Sequence, residues 1–162
     1  MRTAMRDTRG SGALMTVLIL PLLMFTLTGV LELGALRLAA WRASNAADLA
    51  TLVAINDQDP AELARSGTLR PAADAADVAR TYFALNLEGT ASLLAAPVEA
   101  IAASAEVAVY TVSPVVDELT GARYERPTVR LLASVPVRTP GLAIMLLPSV
   151  TTINVRSASS AR

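Results

Sequence analysis

The chain has 162 residues, 53% of them hydrophobic, with 14 basic and 14 acidic side chains and a formal net charge of zero. It contains no Cys, no His and no Lys, which excludes disulfide staples, zinc sites and imidazole acid–base chemistry and leaves no serine a His or Lys to activate it. Outside the first residues there is no basic patch, so nucleic acid has no electrostatic footprint here.

Arg2, Arg6 and Arg9, set against Asp7, form a short basic leader. The stretch from Gly12 to Val30 then carries no charge at all. As a helix it would be roughly 28 Å long, close to the thickness of a bilayer's hydrocarbon core. Positive charge ahead of such a run predicts a cytoplasmic N-terminus and an exported C-terminal part. A cleaved secretory signal would have a shorter apolar core and a small-x-small cleavage site. Here the run instead continues into LELGALRLAAW, which reads as more helix. Residues 1–11 are accordingly read as a basic cytoplasmic leader, 12–31 as a transmembrane segment and 32–162 as an extracytoplasmic helix-plus-sheet domain.

One helix is predicted over residues 13–56. Pro21 interrupts it, but a proline is tolerated inside a membrane helix. Glu32, Arg37 and Trp41 are expected at the outer membrane interface, with Arg37 free to snorkel. Past Val30 the pattern becomes amphipathic: Leu38, Trp41, Leu49, Leu52 and Val53 are predicted on one face, and Arg37, Ser44, Asp48 and Thr51 on the other. The apolar face would lie on the rest of the domain. Ala35, Ala39, Ala43, Ala46, Ala50 and Ala54 are small enough to let another helix approach closely, or are simply good helix filler. The cluster Asn56-Asp57-Gln58-Asp59-Pro60 ends the helix. It lacks the spacing of an oxygen-ligand cation loop.

A short helix is predicted at Pro60–Ser66, closed by Gly67. A second should open at Pro71, carry Asp74 and Asp77 in its first turn and stop at Gly89. Residues 91–98 give no clear pattern. From Glu99 onward the period shifts toward two, predicting strands over 105–112 and 129–138, with Pro136 at an edge or late position. Asp117, Thr120 and Gly121 suit a hairpin loop between them. The GLAIMLLP stretch is a short helix or a buried loop, and 149–158 is a last strand with Ile153 and Val155 inward. The fold class is therefore α+β: a long N-terminal transmembrane helix continuing into a small domain with short helices and an antiparallel sheet of about three strands, the C-terminal half of the helix covering the sheet.

Several features, taken in order, carry a resemblance. Arg9-Gly10 comes first, then the apolar run with Leu18-Ile19-Leu20-Pro21, then Gly29, Glu32-Leu33-Gly34 and Asn45-Ala46-Ala47-Asp48-Leu49-Ala50. Over roughly residues 9–56 the chain resembles the N-terminal region of TadE/TadG-like pilus-assembly proteins of the bacterial tight-adherence (Flp-type) systems. The resemblance implies a non-catalytic minor pilin or pseudopilin, single-pass in the cytoplasmic membrane. Its partners would be that membrane and other pilus-assembly subunits met through the N-terminal helix, with no cofactor. It also implies a prepilin peptidase as a processing partner, cutting after Gly10 or, second, Gly12. A TadE-like member then has Glu at the fifth mature position, where this chain has Met15. That departure leaves open an anchored TadG-like component that is not cut and a specialised minor subunit. Met15, Pro21, Gly29, Glu32 and Gly34 are the candidate helix-packing positions. The alternative is a membrane-tethered binding or scaffold module outside any pilus. The pairs Asp74/Asp77 and Asp117/Glu118 are read as helix-dipole charge and a polar loop, not as catalytic carboxylates.

Overall fold

The computed structural model describes residues 9–67, 69–144 and 146–161, with side chains of the first helix from Met15 onward. Arg2, Arg6 and Asp7 of the basic leader lie outside the described residues. The first helix, α1, runs unbroken from Arg9 to Asn56 through Pro21, about 72 Å at helical rise. Asp57 is exposed at its end, and the Asp59 carboxylate turns the chain into α2 (Pro60–Ser66) by accepting from the amides of Ala61 and Glu62 at 2.9 and 3.2 Å. Gly67 closes α2 at φ 67°, a left-handed conformation that glycine adopts without a Cβ penalty.

The next helix, α3, starts at Ala75 and not at Pro71, which is held in a β-bridge to Gln58. It ends at Leu87, and a 3-10 helix (Glu88–Leu93) carries the chain past Gly89. Ala75, Ala79, Phe83 and Leu87 are buried at a spacing of four, a single stripe along α3. Helix α4 (Val98–Ser104) falls in the stretch expected to begin the period-two pattern. Its buried Val98, Ile101 and Ala102 do have helical spacing, but seven residues are too few for the period to stand out.

Strands β1 (Glu106–Tyr110), β4 (Thr128–Arg138) and β5 (Val150–Ser160) form an antiparallel sheet in the order β1-β4-β5. A small hairpin of β2 (Val115–Val116) and β3 (Arg123–Tyr124) is inserted between β1 and β4. The β4–β5 ladder runs without a bulge from Thr128↔Ser160 to Arg138↔Val150. Of the two expected placements the late one holds: Pro136 lies near the end of β4, which is the central strand and not an edge. The pairing with β1 stops at Leu132, and further along Pro136 only accepts, from the Ala95 amide at 2.8 Å. Its missing N–H leaves no gap in the ladder.

Beyond Ile55 the core is closed by Val129, Leu131, Ala133, Val135, Val137 and Val155 from the sheet, with Phe83, Leu87, Leu94 and Ile101 from the short helices. The upper half of α1 lies over this sheet and beside α3, as the sequence predicts. Arg37, Ser44 and Asp48 are exposed as expected, but the apolar face is not the one turned inward. Ala43, Ala47, Ala50 and Ala54 are fully buried, whereas Leu38, Trp41, Leu49 and Leu52 are exposed and Val53 is half-buried. Alanine lets the backbones of α1, α3 and β5 come close, and a bulky stripe in that seam would hold them apart. Thr51, buried among the alanines, and Asp48 at the edge of the seam find partners on the serine-rich end of β5. Thr51 Oγ1 lies 2.9 Å from both Ser157 Oγ and Ser159 Oγ, and Ser157 Oγ donates to Asp48 Oδ1 at 2.6 Å.

Candidate assembly surface

The feature that distinguishes this molecule is the part of α1 that the domain leaves bare. Met15, Val17, Leu18, Leu20, Leu22 and Leu23 all stand at least half exposed. Among the described residues, one helix is long and apolar enough to cross a membrane, and its most apolar window has no buried residue. A rod of this kind in water would expose far more contiguous apolar surface than soluble proteins tolerate. It calls for lipid or for other helices.

The domain first meets the rod at Thr28 and Gly29, both half-buried. One turn on, Glu32 Oε1 accepts the Gly141 amide at 2.5 Å. Gly141 belongs to α5 (Pro140–Ile144), which starts the connection from β4 to β5. A Cβ built at Gly141 would come within 2.6 Å of Glu32 Oε1 and 2.8 Å of Thr28 Cγ2, so any side chain there would have to push Glu32 and Thr28 aside. Glu32 therefore pins the sheet's β4–β5 end to the helix. Sequence reading placed Glu32 at the interface but gave it no partner. The only hints of this contact were a carboxylate just beyond an uncharged run and a Pro-Gly pair far down the chain.

The remaining candidate positions do not converge on one point. Gly10 and Gly12 lie in the first turns of α1. Met15 is exposed, and Pro21 sits mid-rod with exposed neighbours. Gly34 is exposed, with nothing within 4 Å of an added Cβ. It leaves a shallow notch in the helix surface just above the Glu32 contact. Arg37 is exposed, and Arg42 reaches the Gly89 carbonyl at 3.2 Å, tying α1 to the 3-10 helix.

At the opposite end of the sheet sits a buried charged cluster that sequence reading missed. Asp117, expected in a polar loop, is 1% exposed and so is Arg130. Asp117 accepts hydrogen bonds from Tyr110 Oη at 2.9 Å, from the Leu119 amide at 3.2 Å and from Thr120 Oγ1. Arg130 donates to Glu106 Oε1 at 2.9 Å and holds its Nε 3.0 Å from Asp117 Oδ2, an ion pair lying off hydrogen-bond direction. Burial works to raise the Asp117 carboxyl, but these hydrogen bonds and the Arg130 charge outweigh it and hold the carboxyl below its ordinary value. The Tyr110 hydroxyl is pushed up by its own burial and by its bond to Asp117. The cluster fastens the β2–β3 hairpin to the sheet. Asp77 instead pairs with Arg80 on the surface of α3, apart from Asp74. Among the described residues no three acidic side chains converge as a metal site would require.

No curated protein matches this chain, and no solved structure does. The family model of Flp pilus-assembly TadE/G-like proteins matches residues 10–66, which bears out the resemblance carried by the motifs between Arg9 and Asn56. The match runs from the second residue of α1 to the end of α2, and over that stretch the chain is similar to TadE/G-like proteins.

Proposed function

We propose that this protein is a membrane-anchored minor pilin or pseudopilin of a Tad/Flp-type pilus system. It would act as a non-catalytic part whose rod lies in the bacterial cytoplasmic membrane while its α+β head stands outside. The observation that carries the reading is the coincidence of the TadE/G-like match with α1 and α2, including the whole exposed rod. A pilus subunit needs an apolar helix that can wait in lipid and then contact other subunits, and an uncovered rod supplies one. The basic leader favours a cytoplasmic N-terminus. Gly10, with Gly12 second, is the candidate cut for a prepilin peptidase.

Met15 shapes this proposal further. It has no carboxylate to meet a neighbour's new amino terminus, and the acidic group nearest the rod, Glu32, is already engaged by Gly141. This favours an anchored TadG-like component over a subunit that enters the fibre through such a pair. The test is Leu18→Arg in cells that make pili. A charge at mid-span costs at least ~2.5 kcal/mol on insertion scales, so the variant should leave the membrane fraction and surface pili should fall. Normal piliation with the variant still in the membrane would refute the reading.

A further inference from the structure

The connection between β4 and β5 carries exposed apolar side chains. Ile144, Leu146 and Leu147 are 68%, 96% and 51% exposed, and Val150 beside them is 44% exposed. The segment is nevertheless a built structure. Leu147 N–H bonds Leu142 O at 3.0 Å, Thr139 N–H bonds Ser149 O at 2.8 Å, and Thr139 Oγ1 bonds Pro148 O at 2.9 Å. Leu146 itself is held at φ 60°, a conformation that residues other than Gly, Asn, Asp and His rarely adopt. These bonds fix the connection's backbone and leave its largest aliphatic side chains in the open.

Its position along α1 says what covers it. The loop is pinned at Gly141 against Thr28 and Glu32. Thr28 lies inside the uncharged run that ends at Val30, about 3 Å short of its end at helical rise. If that run is in the hydrocarbon, anything packed against Thr28 is at the lipid surface. Arg138, exposed at the start of the connection, is placed where its guanidinium can reach lipid phosphate.

We infer that the β4–β5 connection is a second membrane contact. Ile144, Leu146 and Leu147 enter the outer interfacial layer beside the transmembrane helix and seat the head on the bilayer, so that it does not swing at the end of a bare rod. This rests on the membrane-anchored reading above, and it goes further by fixing which end of the sheet faces lipid. Interfacial apolar side chains typically sink ~5–10 Å into the headgroup–acyl boundary. The β2–β3 hairpin, at the far end of an 11-residue strand, would stand roughly 35 Å higher.

The experiment uses the full chain in phosphatidylglycerol/phosphatidylethanolamine vesicles, with Trp41→Phe removing the only native tryptophan. Single reporters are then introduced as Leu22→Trp, Leu146→Trp and Leu119→Trp, with Ile144→Trp as a second loop reporter should Leu146→Trp fold poorly. The inference expects Leu22→Trp and the loop reporter both to emit blue-shifted and to be quenched by brominated lipid, while Leu119→Trp emits as in water. If Leu22→Trp is quenched and the loop reporter is water-like, the inference is overturned and the anchor stands. If the loop reporter is blue-shifted but unquenched, and the shift fades on dilution, a second copy covers the loop and the inference is equally overturned. If Leu22→Trp is itself unquenched, the anchored reading fails and takes the inference with it.

Discussion

Two halves of one helix are built to opposite rules. Between Met15 and Leu27, α1 carries mostly large apolar side chains, and they are bare. From Ala39 to Ile55 its inward face is almost wholly alanine, with Thr51 bonded to serines of β5, and it is buried. The lower half has no internal partner and must be covered by something outside the molecule. The upper half gains its stability from close approach, since its side chains are too small to bury much area each. What separates them is contact with the head, which begins at the Thr28–Gly141–Glu32 junction. Propensity and charge matter less there, because Leu38, Trp41, Leu49 and Leu52 stay exposed well above it.

The comparison breaks hardest if the head is damaged and the rod left alone. Asp117→Ala strands the buried Arg130 guanidinium with only the exposed Glu106 as partner. Loss of one member of a buried pair costs about 3–5 kcal/mol, so the head should melt at much lower denaturant while membrane fractionation is unchanged. The same cluster fixes a pH dependence. The Asp117 carboxyl is depressed in the folded head, so the unfolded chain takes up its proton at the higher pH. The stabilisation is complete above the unfolded value, about 4, and is lost as pH falls through the folded one. Asp117→Asn should flatten the acid limb of the stability curve below about pH 4 and leave its neutral region parallel to wild type.

A smaller effect sharpens the contrast between the halves. Ala47→Leu puts a branched side chain into the fully buried seam and should destabilise the head by about 1–3 kcal/mol, read by urea unfolding. An added bulk on the bare rod, such as Val17→Leu, should not register in the same assay. Smallest of all is Trp41→Ser on the exposed side of the upper half. Its stability change should stay within about 0.5 kcal/mol. A larger loss would mean that the outer stripe is covered by a contact within the head.

These contrasts also mark where the sequence was legible. The uncharged run and the Asn56–Pro60 breaker fixed α1 to within a few residues, because charge and proline act locally. Alternation in 129–138 and 149–158 found β4 and β5, and the inward placement of Val155 followed from it. The inward face of α1 was misread because the largest apolar residues were assumed to be inside. Helices packed through alanine invert that rule, and Thr51 goes inward because Ser157 and Ser159 meet it from a strand more than a hundred residues away. The Glu32–Gly141 contact, 109 residues apart, and the burial of Asp117 against Arg130 are tertiary in the same sense. No local pattern encodes them.

The account as a whole depends on the rod staying attached to the head and in the bilayer. Intact mass of the protein recovered from membrane and soluble fractions of producing cells reads this directly. The account predicts a membrane-bound species that is either full length or shortened by residues 1–10. A soluble species beginning near residue 40, with the rod gone, would contradict it.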